Sequence, residues 1–299
     1  MQGWSLERKI QVTQTRIIEW YQYYKGQIYV SFSGGKDSTV LLDLARRIYP
    51  DIKAAYVDTG LEYPELRKFV KSIENVDWIK PKMNFKQVIL KYGYPIISKE
   101  QSMFIYEYNT TKSPKLKEIR LNGNAWGRGK IAEKWKYLID APFPISGTCC
   151  NVMKKNPFKK YEKETGLHPI LGTMAEESEL RKSHWIKHGC NAFEKTRPTS
   201  QPMSFWTEQD VLEYIYKFNI PYAPVYGDIK KEDNKYITTG CTRTGCVFCA
   251  LGVQDEEEPN RFQKLKQSHP KLWNYCMKPI SDGGLGMKEV LEYINVKIE

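Results

Sequence analysis

The sequence predicts an α/β fold, a parallel twisted sheet with flanking helices, together with a C-terminal cysteine-rich metal-binding region, and three observations carry that prediction. Short apolar runs alternate with segments of helical periodicity along the N-terminal part of the chain. The junction between the first such strand and its helix, SFSGGKDSTV from Ser31 to Val40, is rich in glycine and hydroxyl residues. Five of the seven cysteines fall in two groups, Cys149 with Cys150, and Cys241 with Cys246 and Cys249, which is the spacing of metal ligands.

Taken in order, residues 5–24 read as an amphipathic helix with Ile10, Ile17, Ile18 and Trp20 at apolar positions, ending near Lys25 and Gly26. Gln27 to Phe32 (QIYVSF) reads as a short buried strand, and Val40, Leu41, Leu44, Ala45 and Ile48 recur at helical spacing. Ser33 to Ser38 is therefore a strand-to-helix turn. A second strand is expected at Ala54 to Val57, followed by DTGLEYPE and a helix through Leu66, Phe69, Val70 and Ile73. A further strand is expected at His168 to Gly172. Strand and helix in this rhythm imply parallel pairing with crossover helices. From Lys99 to Ser146 the regularity breaks, and basic residues interleave with Trp126, Trp135 and Tyr137. That composition suits a nucleic-acid backbone and its bases. It equally suits a solvated helix such as KIAEKWKYL packing one apolar stripe. The expected division is a nucleotide-binding domain at 1–235, with a basic insertion at about 99–146, and a cysteine-rich helical region at 236–299.

With 41% hydrophobic residues in 299, the chain has the material for a packed core, which excludes global disorder. Lys and Arg number 46 against 35 Asp and Glu, a net charge of +11 that favours phosphate-bearing partners. The opening MQGWSLERKIQ has no signal-like apolar stretch, and no run is long enough to cross a bilayer, so a cytoplasmic protein without a membrane partner is expected.

A turn of this kind aims unpaired amides and the positive end of a helix dipole at one point, a ready site for an anion. Gly34 and Gly35 allow close approach to the backbone, Lys36 supplies a point charge, and Ser33, Ser38 and Thr39 offer hydroxyls. The spacing does not match GxxxxGK[ST], which argues against a P-loop kinase or GTPase. Asp58, at the end of the second strand, could reach a ribose, a purine edge or a Mg²⁺ held by phosphates; it equally suits an N-cap or an Asx turn before Gly60. Among the cysteines, the CxxC pair with a remote pair fits zinc or a [4Fe–4S] cluster, and a redox dithiol at Cys246 and Cys249 is a third reading. Cys190 and Cys276 read as ordinary thiols.

In order along the chain, SGGKDS, DTGLEYPE, GTMAEESELR, PMSFWTEQDVLEYI and IPYAPVY resemble the PAPS reductase family of the PP-loop ATP-pyrophosphatase superfamily, from about Gln27 to Cys249. The resemblance implies an adenine nucleotide alpha-hydrolase-like fold in which Ser31, Ser33, Gly34, Gly35, Lys36, Asp37 and Ser38 hold the phosphate or sulfate of ATP, APS or PAPS. It also implies nucleotide-site roles for Asp58, Gly60, Gly172, Glu177, Ser178 and Arg181. The CC and CxxC pairs resemble the cluster-bearing APS reductase branch, implying a [4Fe–4S] cluster on Cys149, Cys150, Cys246 and Cys249. Two departures stand out: Met174 occupies a usual arginine position, and the closing GLGMKEVLEYINVKIE lacks the ECG-type nucleophile of sulfonucleotide reductases, leaving Cys276 or Cys241 as substitutes.

The expectation is an ATP-dependent adenylating enzyme that then transfers sulfur to an acceptor, with nucleic acid a candidate acceptor and a cysteine desulfurase a candidate sulfur donor. Lys36, Asp37, Arg181 and Cys241 are the expected catalytic residues. Lys36 would stabilise departing pyrophosphate, with Mg²⁺ bridging the phosphates, and Arg181 would steady the nucleotide. Cys241 would carry a persulfide, or else replace Cys149 as a cluster ligand. The alternatives are a sulfonucleotide reductase releasing sulfite and a non-catalytic nucleotide or nucleic-acid adaptor.

Overall fold

Ser5 accepts a hydrogen bond from Arg8 N and so opens α1 (Leu6–Tyr23), which buries Ile17 and Trp20. β1 (Ile28–Ser31) leads through the glycine turn into α2 (Lys36–Arg46), then β2 (Lys53–Val57), α3 (Pro64–Lys71) and β3 (Val76–Ile79). The middle of the chain forms α4 (Phe85–Tyr92), β4 (Ile96–Ile97), α5 (Lys99–Thr110) and α6 (Pro114–Asn122). There follow α7 (Asn156–Thr165), β5 (His168–Leu171), α8 (Glu179–His188), β6 (Asn191–Ala192), β7 (Thr199–Ser200) and α9 (Glu208–Phe218). The last part holds the hairpin β8 (Ile229–Glu232) and β9 (Lys235–Thr238), then β10 (Ala250–Leu251), α10 (Arg261–Ser268), α11 (Pro270–Met277) and α12 (Met287–Tyr293). This computed structural model describes residues 1–299.

By contact the chain divides into two units, and not at residue 235: the first comprises Met1–Asp58, Glu62–Lys80 and Pro157–Thr244, the second Thr59–Leu61, Pro81–Asn156 and Gly245–Glu299. The first unit holds a sheet of order β3-β2-β1-β5-β7-β6, parallel except where β6 joins β7. Its register pairs Tyr29 with Lys53 and with Pro169. Because side chains alternate along a strand, Val30 joins the large core with Trp20, Leu41 and Trp206, while Tyr29 packs on the other face with Ala55 and Tyr161. Helices on both faces explain why β1 and β2 read as continuous apolar runs. The chain leaves β1 toward β2 on one side, and β5 lies on the other. The strand order therefore reverses at β1, and in such sheets ligands bind beyond the carboxyl ends of the strands at that point.

In the second unit β4 and β10 pair in parallel, Ile96 with Ala250, and Tyr94 bridges to Ile145. The stretch after Lys99, irregular by composition, forms the two helices α5 and α6; Ser98 and Ser113 cap them through bonds from Gln101 N and Leu116 N. KIAEKWKYL does not make an α-helix: Glu133–Asp140 is a 3₁₀ segment that buries only Leu138. No helix is long and apolar enough to cross a membrane.

Candidate functional site

Gly35 stands at the N-cap of α2 with no side-chain cap, so Lys36, Asp37 and Ser38 form the first helical turn and its amides have no intrahelical acceptor. The hydroxyls stiffen the turn from within. Ser38 Oγ accepts from Ser33 N at 3.2 Å and donates to Gly35 O at 2.9 Å, and Thr39 Oγ1 donates to Gly35 O at 3.0 Å. Gly34 has φ +74°, and a Cβ there would meet Val70 Cγ2 at 2.5 Å and Leu66 Cδ2 at 2.9 Å. The glycine is therefore required by the close approach of α3, independently of any ligand. At the end of β5, a Cβ on Gly172 would lie 3.2 Å from Asp37 O, which shows how near that strand end comes to the turn.

Lys36 is buried and held from several sides. Its Nζ donates to Thr242 O at 2.7 Å and lies 3.0 Å from Glu208 Oε1, while its backbone N donates to Tyr226 Oη at 3.2 Å. Tyr226 Oη in turn lies 2.7 Å from Thr244 Oγ1, and burial pushes the phenol up to about 12. Residues 241–244 thus form a loop fastened to the turn, and Cys241 belongs to it, anchored by Cys241 N donating to Val225 O at 3.0 Å. Asp37 is raised above the ordinary carboxylate value by burial, although Lys36, Arg243 and Arg181 pull it the other way, and its Oδ1 has no hydrogen-bond partner.

Other expected site residues have local employment. Asp58 is held by Arg67: Nε donates to Oδ1 at 3.0 Å and Nη2 to Oδ2 at 2.6 Å, so a buried carboxylate is chelated by a guanidinium. Ser178 caps α8 through Arg181 N at 3.3 Å. Glu177 Oε2 accepts from Met174 N at 3.1 Å and pairs with Arg181. Burial lowers Arg181, and Arg243 adds to that. Met174, at the position of the expected arginine, is buried in the core of the first unit. Ser31 is the last residue of β1, paired with Ala55 and Leu171, and Gly60 has φ +72° with open space around its Cα.

The four cysteines Cys149, Cys150, Cys246 and Cys249 line one pocket in the second unit, with Met153 and Lys154 among its walls. Cys149 and Cys150 lie just before a π-helical segment, Asn151–Lys155, a local widening often found at functional sites. Cys246 and Cys249 share a tight turn, with Cys249 N donating to Cys246 O at 3.0 Å and Arg261 Nη1 donating to Cys249 O at 3.0 Å. The Cys149 thiol donates to Cys150 Sγ at 3.9 Å, which lowers Cys150, helped by Lys99, Lys154 and Lys155, and raises Cys149. No three of these side chains close on one point as ligands of a single ion would. Cys276 is fully buried and burial pushes its thiol up, so it is no substitute nucleophile; Cys190 is likewise a buried thiol.

Tyr226, Glu208, Thr242, Thr244 and Arg67 were not singled out by residue type. Tyr226 and Glu208 do lie within IPYAPVY and PMSFWTEQDVLEYI, so a signal for their importance was present without a role attached.

A family model described as the phosphoadenosine phosphosulfate reductase domain matches residues 27–95 and 107–251. An uncharacterized protein of Methanocaldococcus jannaschii is 25% identical over 288 residues, covering 92% of this chain and 53% of its own length. A second from the same organism is 28% identical over 258 residues, covering 85% and 41%. The chain thus spans about half the length of these relatives. An adenosine 5′-phosphosulfate reductase of Bacillus mycoides is 25% identical over 243 residues, covering 80% of each. The crystal structure of a phosphoadenylyl-sulfate reductase from Candida auris aligns with TM-score 0.42 and 15% identity over 75% of this chain and 93% of that one.

Proposed function

The chain belongs to the phosphoadenosine phosphosulfate reductase domain family, and from that premise we propose that it binds an adenine nucleotide, ATP first, at the turn after β1 and transfers sulfur to an acceptor. One observation carries the reading: the loop that bears Cys241 is tied to the turn through Thr242 O on Lys36 Nζ and Thr244 on Tyr226. A thiol and an anion site thereby share one hydrogen-bonded assembly.

In this reading an acceptor oxygen attacks the α-phosphorus and the bond to pyrophosphate breaks. Lys36 Nζ and the first-turn amides of α2 stabilise the charge that develops on the leaving group. The terminal sulfur of a Cys241 persulfide, loaded by a donor such as a cysteine desulfurase, then attacks the activated acceptor carbon and displaces AMP. The resulting disulfide is opened by a thiol reductant, which restores Cys241. Asp37, whose Oδ1 has no partner, is the acid suited to a Mg²⁺ on the phosphates; Asp58, chelated by Arg67, is not.

The thiol set of the second unit suits a [4Fe–4S] cluster held by Cys149, Cys150, Cys246 and Cys249. Zinc bound by the same four thiolates is the alternative. When bound, such a cluster supplies electrons or an iron that anchors sulfur.

A second reading, sulfonucleotide reduction, is favoured by the Bacillus relative's name. There the Cys241 thiolate would attack the sulfate sulfur, AMP (from APS) or adenosine 3′,5′-bisphosphate (from PAPS) would leave, and a second thiol would release sulfite and form a disulfide with Cys241. The buried Met174 offers no guanidinium, so that position does not select a particular sulfate or phosphate substituent. The test is to purify the protein without oxygen and offer each nucleotide with a thiol reductant. Pyrophosphate and AMP from ATP support sulfur transfer, whereas sulfite from APS or PAPS replaces it with reduction. Cys241→Ser is expected to stop either product while nucleotide binding persists; full product from that variant overturns the role of Cys241.

A further inference from the structure

In the second unit, α6 buries none of its residues, and the loop that follows it ends on an indole held out in solvent: Trp126 is 81% exposed. This exposure is not slackness. Asn124 Oδ1 accepts from both Trp126 N and Arg128 N at 3.0 Å, Asn124 N donates to Arg128 O at 2.8 Å, and Gly127 N donates to Asn124 O at 2.8 Å. Gly123 has φ +94°, and a Cβ there would strike the Gly127 backbone at 2.8 Å, so the loop closes on itself at a glycine pair. Two side chains then stitch its return to the helices. Arg120 Nη1 donates to Gly129 O at 2.6 Å, with its Nε on Glu107 Oε2 at 2.6 Å, and Gln101 takes Lys130 O and Ala132 N. The result is a rigid loop whose apolar tip has no intramolecular use.

The surroundings of the tip are cationic. Arg128 and Lys130 flank it, and Lys112, Lys115 and Lys117 stand exposed on and just before α6. Arg120 is already paired with Glu107 and serves the loop from inside. We propose that this surface binds single-stranded nucleic acid, with a base stacked on Trp126 and the backbone phosphates on Arg128, Lys130 and the lysines of α6. A flat, pre-ordered π-face with Arg128 and Lys130 beside it is complementary to an unpaired base and its phosphates, and the lysines at the start of α6 extend the basic surface along the strand. A duplex keeps its bases stacked internally and offers no face to the indole. An anionic membrane would call for a continuous apolar face, whereas α6 presents mainly charged and polar side chains around a single tryptophan. Binding of the strand stands by itself; only its designation as the sulfur acceptor rests on the sulfur-transfer reading above.

The experiment is fluorescence anisotropy of the whole protein with a labelled oligothymidine, alongside ATP binding measured on the same preparations. Trp126→Ala should weaken strand binding by about tenfold, and Trp126→Phe should restore most of it. Arg128→Glu should weaken binding and flatten its dependence on salt. ATP binding should be unaltered in all three variants, so a defect there would count against the nucleotide reading and not against this one. Absence of strand binding, equal binding by Trp126→Ala, a preference for duplex, or Trp126-dependent capture by phosphatidylserine vesicles with none by the oligonucleotide would each overturn the proposal.

Discussion

The turn after β1 and the cysteine pocket are assembled over very different stretches of chain. Ser33, Ser38 and Thr39 shape the turn through hydrogen bonds to partners two to five positions away. The pocket gathers Cys149 and Cys150 from the start of a π-helical segment and Cys246 and Cys249 from a turn near β10, segments far apart in sequence. Local bonds make the turn legible as a motif and also fix its conformation before any ligand arrives. A pocket built from remote segments has its donor set legible in sequence, while its spacing depends on how the second unit folds. Preorganisation is therefore a property of the anion site, and ligand-dependent completion is expected of the thiol site.

The largest effect that would sharpen this contrast is Lys36→Ala. It removes the charge that meets departing phosphate and leaves Thr242 O and Glu208 without their cation, so turnover should fall by about a hundredfold or more. Pyrophosphate and sulfite assays read it directly, and a wild-type rate would remove the turn from the mechanism. Next comes Cys246→Ser, which should abolish the visible absorbance of anaerobically purified protein while ATP binding is retained. A colourless wild type holding zinc tightly would break the cluster side of the comparison, and loss of ATP binding would show that the turn is not independently formed.

The smallest effect concerns Asp37. Its carboxyl is raised above the ordinary 3.8 by burial, so the folded state binds this proton more tightly than the unfolded chain. The associated stability is fully present below the ordinary value and is lost as pH rises through the raised one. Asp37→Asn should therefore be more stable than the parent at neutral pH and lose that advantage in acid, measured by denaturant unfolding at both. A variant less stable at neutral pH would show that Lys36, Arg181 and Arg243 outweigh burial.

Much of this was written in residue order. The helix at Leu6–Tyr23, β1, β2 and β5 followed from apolar spacing, because each buries a face whose period is fixed by backbone geometry. The hairpin of β8 and β9 escaped notice, since IKKE and KYIT carry few apolar residues; Asp233 and Asn234, both at positive φ, are the signal that could have found it. The grouping of residues 81–156 with 245–299 left no mark in composition, because parallel pairing of β4 with β10 joins two short strands that no turn connects.

Sequence alone determined the class of fold, the strand-to-helix turn after β1 and the two groups of cysteines, because each rests on local stereochemistry or on the identity of side chains. Tertiary structure decided what those side chains do. Packing against α3 gives Gly34 its reason, Arg67 pairs with Asp58, and Met174 and Cys276 are buried in the interior. The loop of residues 241–244 reaches Lys36 across some two hundred positions, a proximity that no local rule encodes, because long-range contacts are set by the whole core and not by the segments that meet.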